Sequence, residues 1–286
     1  MKKLIILTDF SKTASNAANI ALEIAIRLHL DVQLVNSYLI PFAILAAEGE
    51  GRTSFDVSLI ALASENGLKK EAKRIRRVID SRPTGGRRTV VETISTLESV
   101  HEVITRLTKS KEVKLVVAGV HESRFPFIFS GMDVHQLLEG LNCPLLIVPK
   151  TFRHLTVNNL MFASNIGRGD LEIINKLYSC SRSHNFHLHV CHVSKPVFVA
   201  DFNEEDRVRQ FGHDLSKIGG GGICLNELEG ANLVKSLNRF IAATDIDMIA
   251  IVYHPHSLGW KFFHENHASK LIKNQRLPML IFPANL

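Results

Sequence analysis

Two stretches of the chain carry the same pattern. Pro144-Leu145-Leu146-Ile147-Val148-Pro149 and Pro278-Met279-Leu280-Ile281-Phe282-Pro283 are each a proline, four apolar residues and a second proline. Each follows an amphipathic stretch. The openings of the two halves also answer each other: Lys3-Leu4-Ile5-Ile6-Leu7-Thr8-Asp9-Phe10 against Asn159-Leu160-Met161-Phe162-Ala163-Ser164-Asn165-Ile166. A diverged internal duplication constrains the architecture before any chemistry is considered. It divides 286 residues into two domains of ordinary size, 1–150 and 157–286, with the boundary between Pro149 and Val157.

The order of elements follows from periodicity. In the first half residues 3–8 read as a buried strand. A helix then starts near Thr13 or Ser15 and carries Ala17, Ile20, Ala21, Ile24 and Leu28 on one face. Strands follow near 32–37, 89–94, 113–118 and 145–148. Helices fall at about 57–80, at Val100–Leu107 and from Val134. The second half repeats the order, with strands near 160–164, 186–191, 223–227, 247–252 and 279–282. Its helices lie near 169–182, 204–218, 231–243 and 265–274. Strands that are apolar throughout and alternate with helices predict parallel sheets covered on both faces. With right-handed crossovers, each half is a doubly wound, Rossmann-like α/β domain.

Bulk properties narrow the function classes. No run of 18 apolar residues occurs, so no membrane span is expected. The opening Met1-Lys2-Lys3 run is a first strand rather than a leader, because Asp9 and Lys12 interrupt it. Cys143, Cys180, Cys191 and Cys224 form no CxxC pair and read as reduced thiols of a cytoplasmic protein. The net charge of +6 is densest at Lys69, Lys70, Lys73, Arg74, Arg76 and Arg77, beside an apolar stripe of Leu68, Ala72, Ile75 and Ile79. That pattern is the solvated face of a helix, and nothing beside it marks a nucleic-acid site.

Ligands of such folds bind beyond the carboxyl ends of the strands. The tips at Asp9, Asn36-Ser37 and Gly119 are therefore the places to inspect. Asp9 either helps cap the following helix or accepts hydrogen bonds from a ligand. Ser130 and Gly131 precede a helix near Val134, whose free N–H groups suit a phosphate, although Asp133 competes for them. No P-loop, GxGxxG or nucleophile elbow is present. Gly219 to Gly222 lie between a helix and a strand and read as a turn. His187 and His189 share one face of a strand and His192 points to the other, so the three do not converge on a metal. A second histidine group, His254, His256, His264 and His267, lacks zinc-hydrolase spacing.

Taken together the motifs resemble the universal stress proteins, in their tandem two-domain form. The resemblance rests on Ile6-Leu7-Thr8-Asp9-Phe10-Ser11, Leu115-Val116-Val117-Ala118-Gly119 and the two proline-bounded closing strands, in duplicate. It implies a five-stranded parallel sheet in each half and an adenine nucleotide alpha hydrolase-like fold. It also implies intramolecular pairing of the two domains, and the apolar edge strands 145–148 and 279–282 would cover each other in that pairing. Nucleotide-binding members carry Gly-x-x-Gly, nine residues, then Gly-Ser or Gly-Thr. Asp9, Gly119, Ser130 and Gly131 are the residues that the resemblance assigns to ATP. Glu122 stands in the place of the second glycine and Met132 in the place of the hydroxyl residue. In the second half Asn165 replaces the aspartate, and Val252 or Tyr253 the first glycine. The resulting expectation is a non-catalytic stress-response module acting through a partner or a small ligand. The alternative is an ATP-binding, slowly hydrolysing switch built on the first half. A homodimer, and the nature of a protein partner, stay open at this level.

Overall fold

A computed structural model describes residues 1–38, 57–82, 88–120, 134–153, 156–194, 202–218, 222–253 and 277–284. The chain divides into two compact units, Met1–Leu155 and Thr156–Leu286.

The first unit runs β1 (Lys3–Leu7), α1 (Lys12–Arg27), β2 (Asp31–Ser37), α2 (Val57–Asp80), β3 (Val91–Thr96), α3 (Val100–Thr108), β4 (Val113–Val120), α4 (Val134–Glu139) and β5 (Leu145–Pro149). Its strands are hydrogen-bonded in the order β3-β2-β1-β4-β5, all parallel. The chain moves outward from β1 to β3, then crosses back to β4, so the order reverses between β1 and β4. The second unit runs β6 (Asn159–Ala163), α5 (Arg168–His184), β7 (His187–Ser194), α6 (Phe202–Lys217), β8 (Leu225–Glu229), α7 (Leu233–Thr244), β9 (Met248–Tyr253) and β10 (Met279–Pro283). Its parallel order, β8-β7-β6-β9-β10, repeats the topology of the first. Both units are doubly wound α/β sheets. The expected helix at 265–274, like the loop at 121–133, lies outside the described residues.

The cores explain why the strands form. Leu4, Ile5, Ile6, Val116, Val117, Ile147 and Val148 are fully buried, because helices cover both faces of the central strands. In α2 the stripe Leu68, Ala72, Ile75 and Ile79 is buried while Lys69, Lys70 and Lys73 stand in solvent. The helix starts and stops are local chemistry. Ser11 caps α1 by accepting from the Ala14 N–H at 3.1 Å. Ser99 and Glu102 close a capping box on α3. α1 ends without a glycine: His29 takes the left-handed conformation (φ 53°), and the Leu30 N–H returns to the Ala25 carbonyl.

β3 is the outermost strand of the first sheet and lies two residues later than its apolar run suggests. The Val90 carbonyl already accepts from Val32, so the next carbonyl, that of Val91, faces away from β2. Arg76 donates to it at 2.6 Å.

Candidate functional site

The carboxyl tip of β1 is a tight turn built from its own side chains. The Thr8 hydroxyl accepts from the Phe10 N–H at 3.1 Å, and Asp9 Oδ1 accepts from the Ser11 N–H at 2.9 Å. Phe10 is forced to φ 63°, a strained position for a residue with a side chain. Its ring lies across Gly67 of α2, where an added Cβ would sit 2.6 Å from the ring. Asp9 is exposed and commits one oxygen to the turn.

Behind the tip sits a buried polar relay. Asn36, at the end of β2, donates to the Thr8 carbonyl at 2.7 Å and accepts from the Ser64 hydroxyl of α2 at 2.6 Å. The Ser64 hydroxyl accepts in turn from Ser95 of β3 at 2.7 Å. Three strand ends and one helix are thus tied at one point. Every polar atom named here has its partner, as burial demands. Asn36 is a second tip residue, and its role is to hold β1 rather than to face solvent.

Gly119 owes its identity to packing. A Cβ there would lie 2.7 Å from the Thr13 carbonyl oxygen, in the first turn of α1. The missing side chain lets α1 lie directly across β4. Gly119 and Asp9 therefore flank the start of the same helix. Ser130 and Gly131 fall outside the described residues, as do Glu122 and Met132.

The second unit rebuilds the same tip with other groups. Asn165 Oδ1 accepts from the Gly167 N–H at 3.0 Å, and the Ser164 hydroxyl accepts from the Ile166 N–H at 2.9 Å. Ile166 has φ 57°. The place of Asn36 is taken by His192, buried, with Nδ1 3.0 Å from the Ser164 carbonyl. A carbonyl only accepts, so Nδ1–H donates this hydrogen bond. The other ring nitrogen, Nε2, is buried and has no partner among the described residues. Asp170, 1% exposed in the first turn of α5, accepts from the Ser164 hydroxyl at 2.6 Å and from the Asn165 N–H at 3.2 Å. Serine, histidine and aspartate meet here, but not as a nucleophile with its base. The hydroxyl proton goes to Asp170, while His192 holds main chain.

Sequence register places Val252 where the first unit has Gly119. Correspondingly α5 leans on β7 and makes no close contact with β9 like that of α1 on β4. Gly169, which stands where α1 has Thr13, has nothing within 4 Å of a built Cβ.

The remaining titratable groups are dispersed. His189 lies 3.2 Å from Asn159 Oδ1 and edge-on to Phe240, 5.9 Å between ring centres. Burial first, and the neighbouring His187 second, push its pKa down. Among the described residues no group of three His, Cys, Asp or Glu is placed to hold a metal. His254, His256, His264 and His267 lie outside them. All four cysteines are free, and burial pushes the Cys143 and Cys191 thiols up to about 12. No described helix is long and apolar enough to cross a membrane.

With this geometry established, comparison with known proteins gives the family. The family model of the universal stress proteins matches residues 1–149. The chain belongs to the universal stress protein family. The whole chain is also similar in fold to solved universal stress proteins. One from Archaeoglobus fulgidus has a TM-score of 0.68 at 15% identity, covering 98% of this chain and 96% of that one. A putative universal stress protein from Pseudomonas aeruginosa has a TM-score of 0.60 at 16% identity, covering 100% and 94%. At these identities the likeness is one of fold. No curated protein matches this universal stress protein in sequence.

Two features of the site were not legible in the sequence. Ser64 and Ser95 gave no motif, because their partners are 28 and 31 residues away. Asp170 and His192 belong to a tip that the family pattern marks only by what it lacks. The one available signal was Asp170 itself, a carboxylate five residues beyond Asn165 at a helix start.

Proposed function

We propose that the chain is a non-catalytic stress-response module of the cytoplasm, acting by binding a partner or a small ligand. The observation that carries this reading is the fate of the hydroxyl and acidic groups at the two tips. Thr8, Asn36, Ser64 and Ser95 are spent on one another and on main chain in the first unit, as are Ser164 and Asp170 in the second. Groups used this way position a turn and are not free to attack a substrate.

The second reading is a nucleotide-dependent switch in the first unit, favoured by the exposure of Asp9. An exposed strand-end carboxylate with one oxygen outside the turn fits a donor such as an adenine amine or a ribose hydroxyl. Gly119 does not add to that fit, since its space is filled by Thr13. Ser130 and Gly131 are assigned to the phosphate end on the family pattern alone, and Glu122 opposes phosphate by charge. The second unit fits less well, with Asn165 in place of the acid and a β-branched Val252 in place of the glycine.

The test is direct. Purified protein is denatured and the supernatant analysed for adenine nucleotides, with calorimetry against ATP and magnesium and an assay for released phosphate. The proposal expects no retained nucleotide and no turnover. Tight ATP binding with slow hydrolysis, lost in Asp9→Ala, would replace it with the switch.

A further inference from the structure

Ser64 marks where α2 leaves the sheet. Its hydroxyl bonds Asn36 and Ser95, both at strand ends. The seven residues before it, Val57–Ala63, therefore run about 10 Å past the sheet at 1.5 Å per residue. This overhang is not polar. Leu59 is 60% exposed and Leu62 51%, and Ala63 beside them is also exposed. At 3.6 residues per turn these three share an outward stripe with Lys70, Lys73 and Arg77 further along the helix. All three cations are exposed, and none has an ion-pair partner among the described residues. Their neighbours differ: Lys69 reaches Glu65 at 3.7 Å, Arg74 is held by Glu71 at 2.6 Å, and Arg76 is spent on the Val91 carbonyl. The outer face of one helix is thus apolar for about one turn at Leu59, Leu62 and Ala63, passes Asn66, and is then cationic for about two turns.

We propose that this stripe docks an acidic amphipathic segment of a protein partner, with its apolar side chains on Leu59 and Leu62 and its carboxylates along Lys70, Lys73 and Arg77. The inference rests on the binding-module reading but not on the strand tips. Charge complementarity selects the partner: unpaired cations in line with exposed leucines match a segment that carries both features in the same order. A nucleic acid would leave the leucines in water, and among the described residues no aromatic side chain lies between Lys70 and Arg77 on this helix to stack a base. A lipid surface would gain only two large apolar side chains, too few to hold a protein there.

The probe is a fluorescein-labelled synthetic peptide with leucines at i, i+3, i+4 and i+7 and glutamates elsewhere, titrated onto the full chain by anisotropy. The expected result is saturable binding that weakens about tenfold or more in Leu59→Ser/Leu62→Ser and again in Lys70→Glu/Lys73→Glu. Lys176→Glu, on α5 of the other unit, should leave it unchanged. These are surface substitutions, and circular dichroism confirms that the variants fold. Absence of binding overturns the proposal. So does equal binding of a peptide whose leucines are serines, which would mean attraction to any polyanion. Stronger binding to phosphatidylserine vesicles or to duplex DNA than to the peptide would assign the stripe to those surfaces instead. The nucleotide experiment reads Asp9, so the two can fail independently.

Discussion

Gly119 offers a decisive test of what the family glycine does in this chain. In Gly119→Ala the new Cβ is placed 2.7 Å from the Thr13 carbonyl oxygen, with the Thr13 carbonyl carbon at 2.9 Å. An ordinary carbon–oxygen contact is about 3.4 Å or more, so about 0.7 Å must be found. The obstructing atoms are main chain of the first turn of α1 and cannot rotate aside. The helix start has to move, taking with it the Ser11 cap and the Asp9 turn. Overpacking of this kind costs about 1–3 kcal/mol. The contrasting substitution is Gly169→Ala in the second unit, where nothing lies within 4 Å. There the extra methyl raises helix propensity and stabilises by up to about 1 kcal/mol. Two units need not unfold together, so the readout is native-state hydrogen exchange of amides in β1 and β4 against those in β6 and β9. Protection should fall in the first set for Gly119→Ala and rise slightly in the second for Gly169→Ala. Unchanged protection in Gly119→Ala would refute the packing account and return this glycine to ligand binding.

Other outcomes follow from the same geometry. Asp9→Asn keeps the turn oxygen, as Asn165 does in the second unit, so its melting temperature should match the parent within about 1–2 °C; a large drop would show that the charge itself holds the turn. Hydrogen bonds from Arg106 first, and from Ser99 respectively, hold the Glu98 and Glu102 carboxyls below their ordinary 4.5. Depressed folded-state values mean stabilisation present above the unfolded value and lost as pH falls through the folded one. The denaturant midpoint of the first unit should therefore decline as pH drops below 4.5, and Glu98→Gln/Glu102→Gln should flatten that slope; equal slopes would contradict the assignment. A thiol reagent at pH 8 should modify exposed Cys224 first and reach Cys143 and Cys191, raised to about 12, only after unfolding.

Most of the architecture was legible because buried parallel strands write themselves as unbroken apolar runs. β4 and β9 could be placed from Val113–Ala118 and Met248–Val252 alone. The buried face of the second half of α2 was legible from one stripe, Leu68 to Ile79. Placement was poor at the outer strands β3 and β8, each two residues later than expected, where apolar content no longer tracks pairing. At the tips, sequence offered residue types without their geometry. Asp9 stood between a cap and a ligand acceptor, and the structure gives it a third task, closing a turn around a left-handed Phe10. No one-dimensional pattern reports that Phe10 rests on Gly67, or that Asn36 is pinned by a serine 28 residues later.

The guanidinium of Arg76 on the Val91 carbonyl bears on how this protein behaves in company. A free strand edge is a template, and a cell under stress is full of partly unfolded chains looking for one. Arg76 occupies an outward rung of β3, while the neighbouring Glu92 turns its carboxylate inward to Lys3 and Gln33. A stray strand that tried to extend the sheet would have to displace the guanidinium. At Val91 that edge therefore refuses an incoming strand, and the refusal comes from one side chain reaching sideways off a helix.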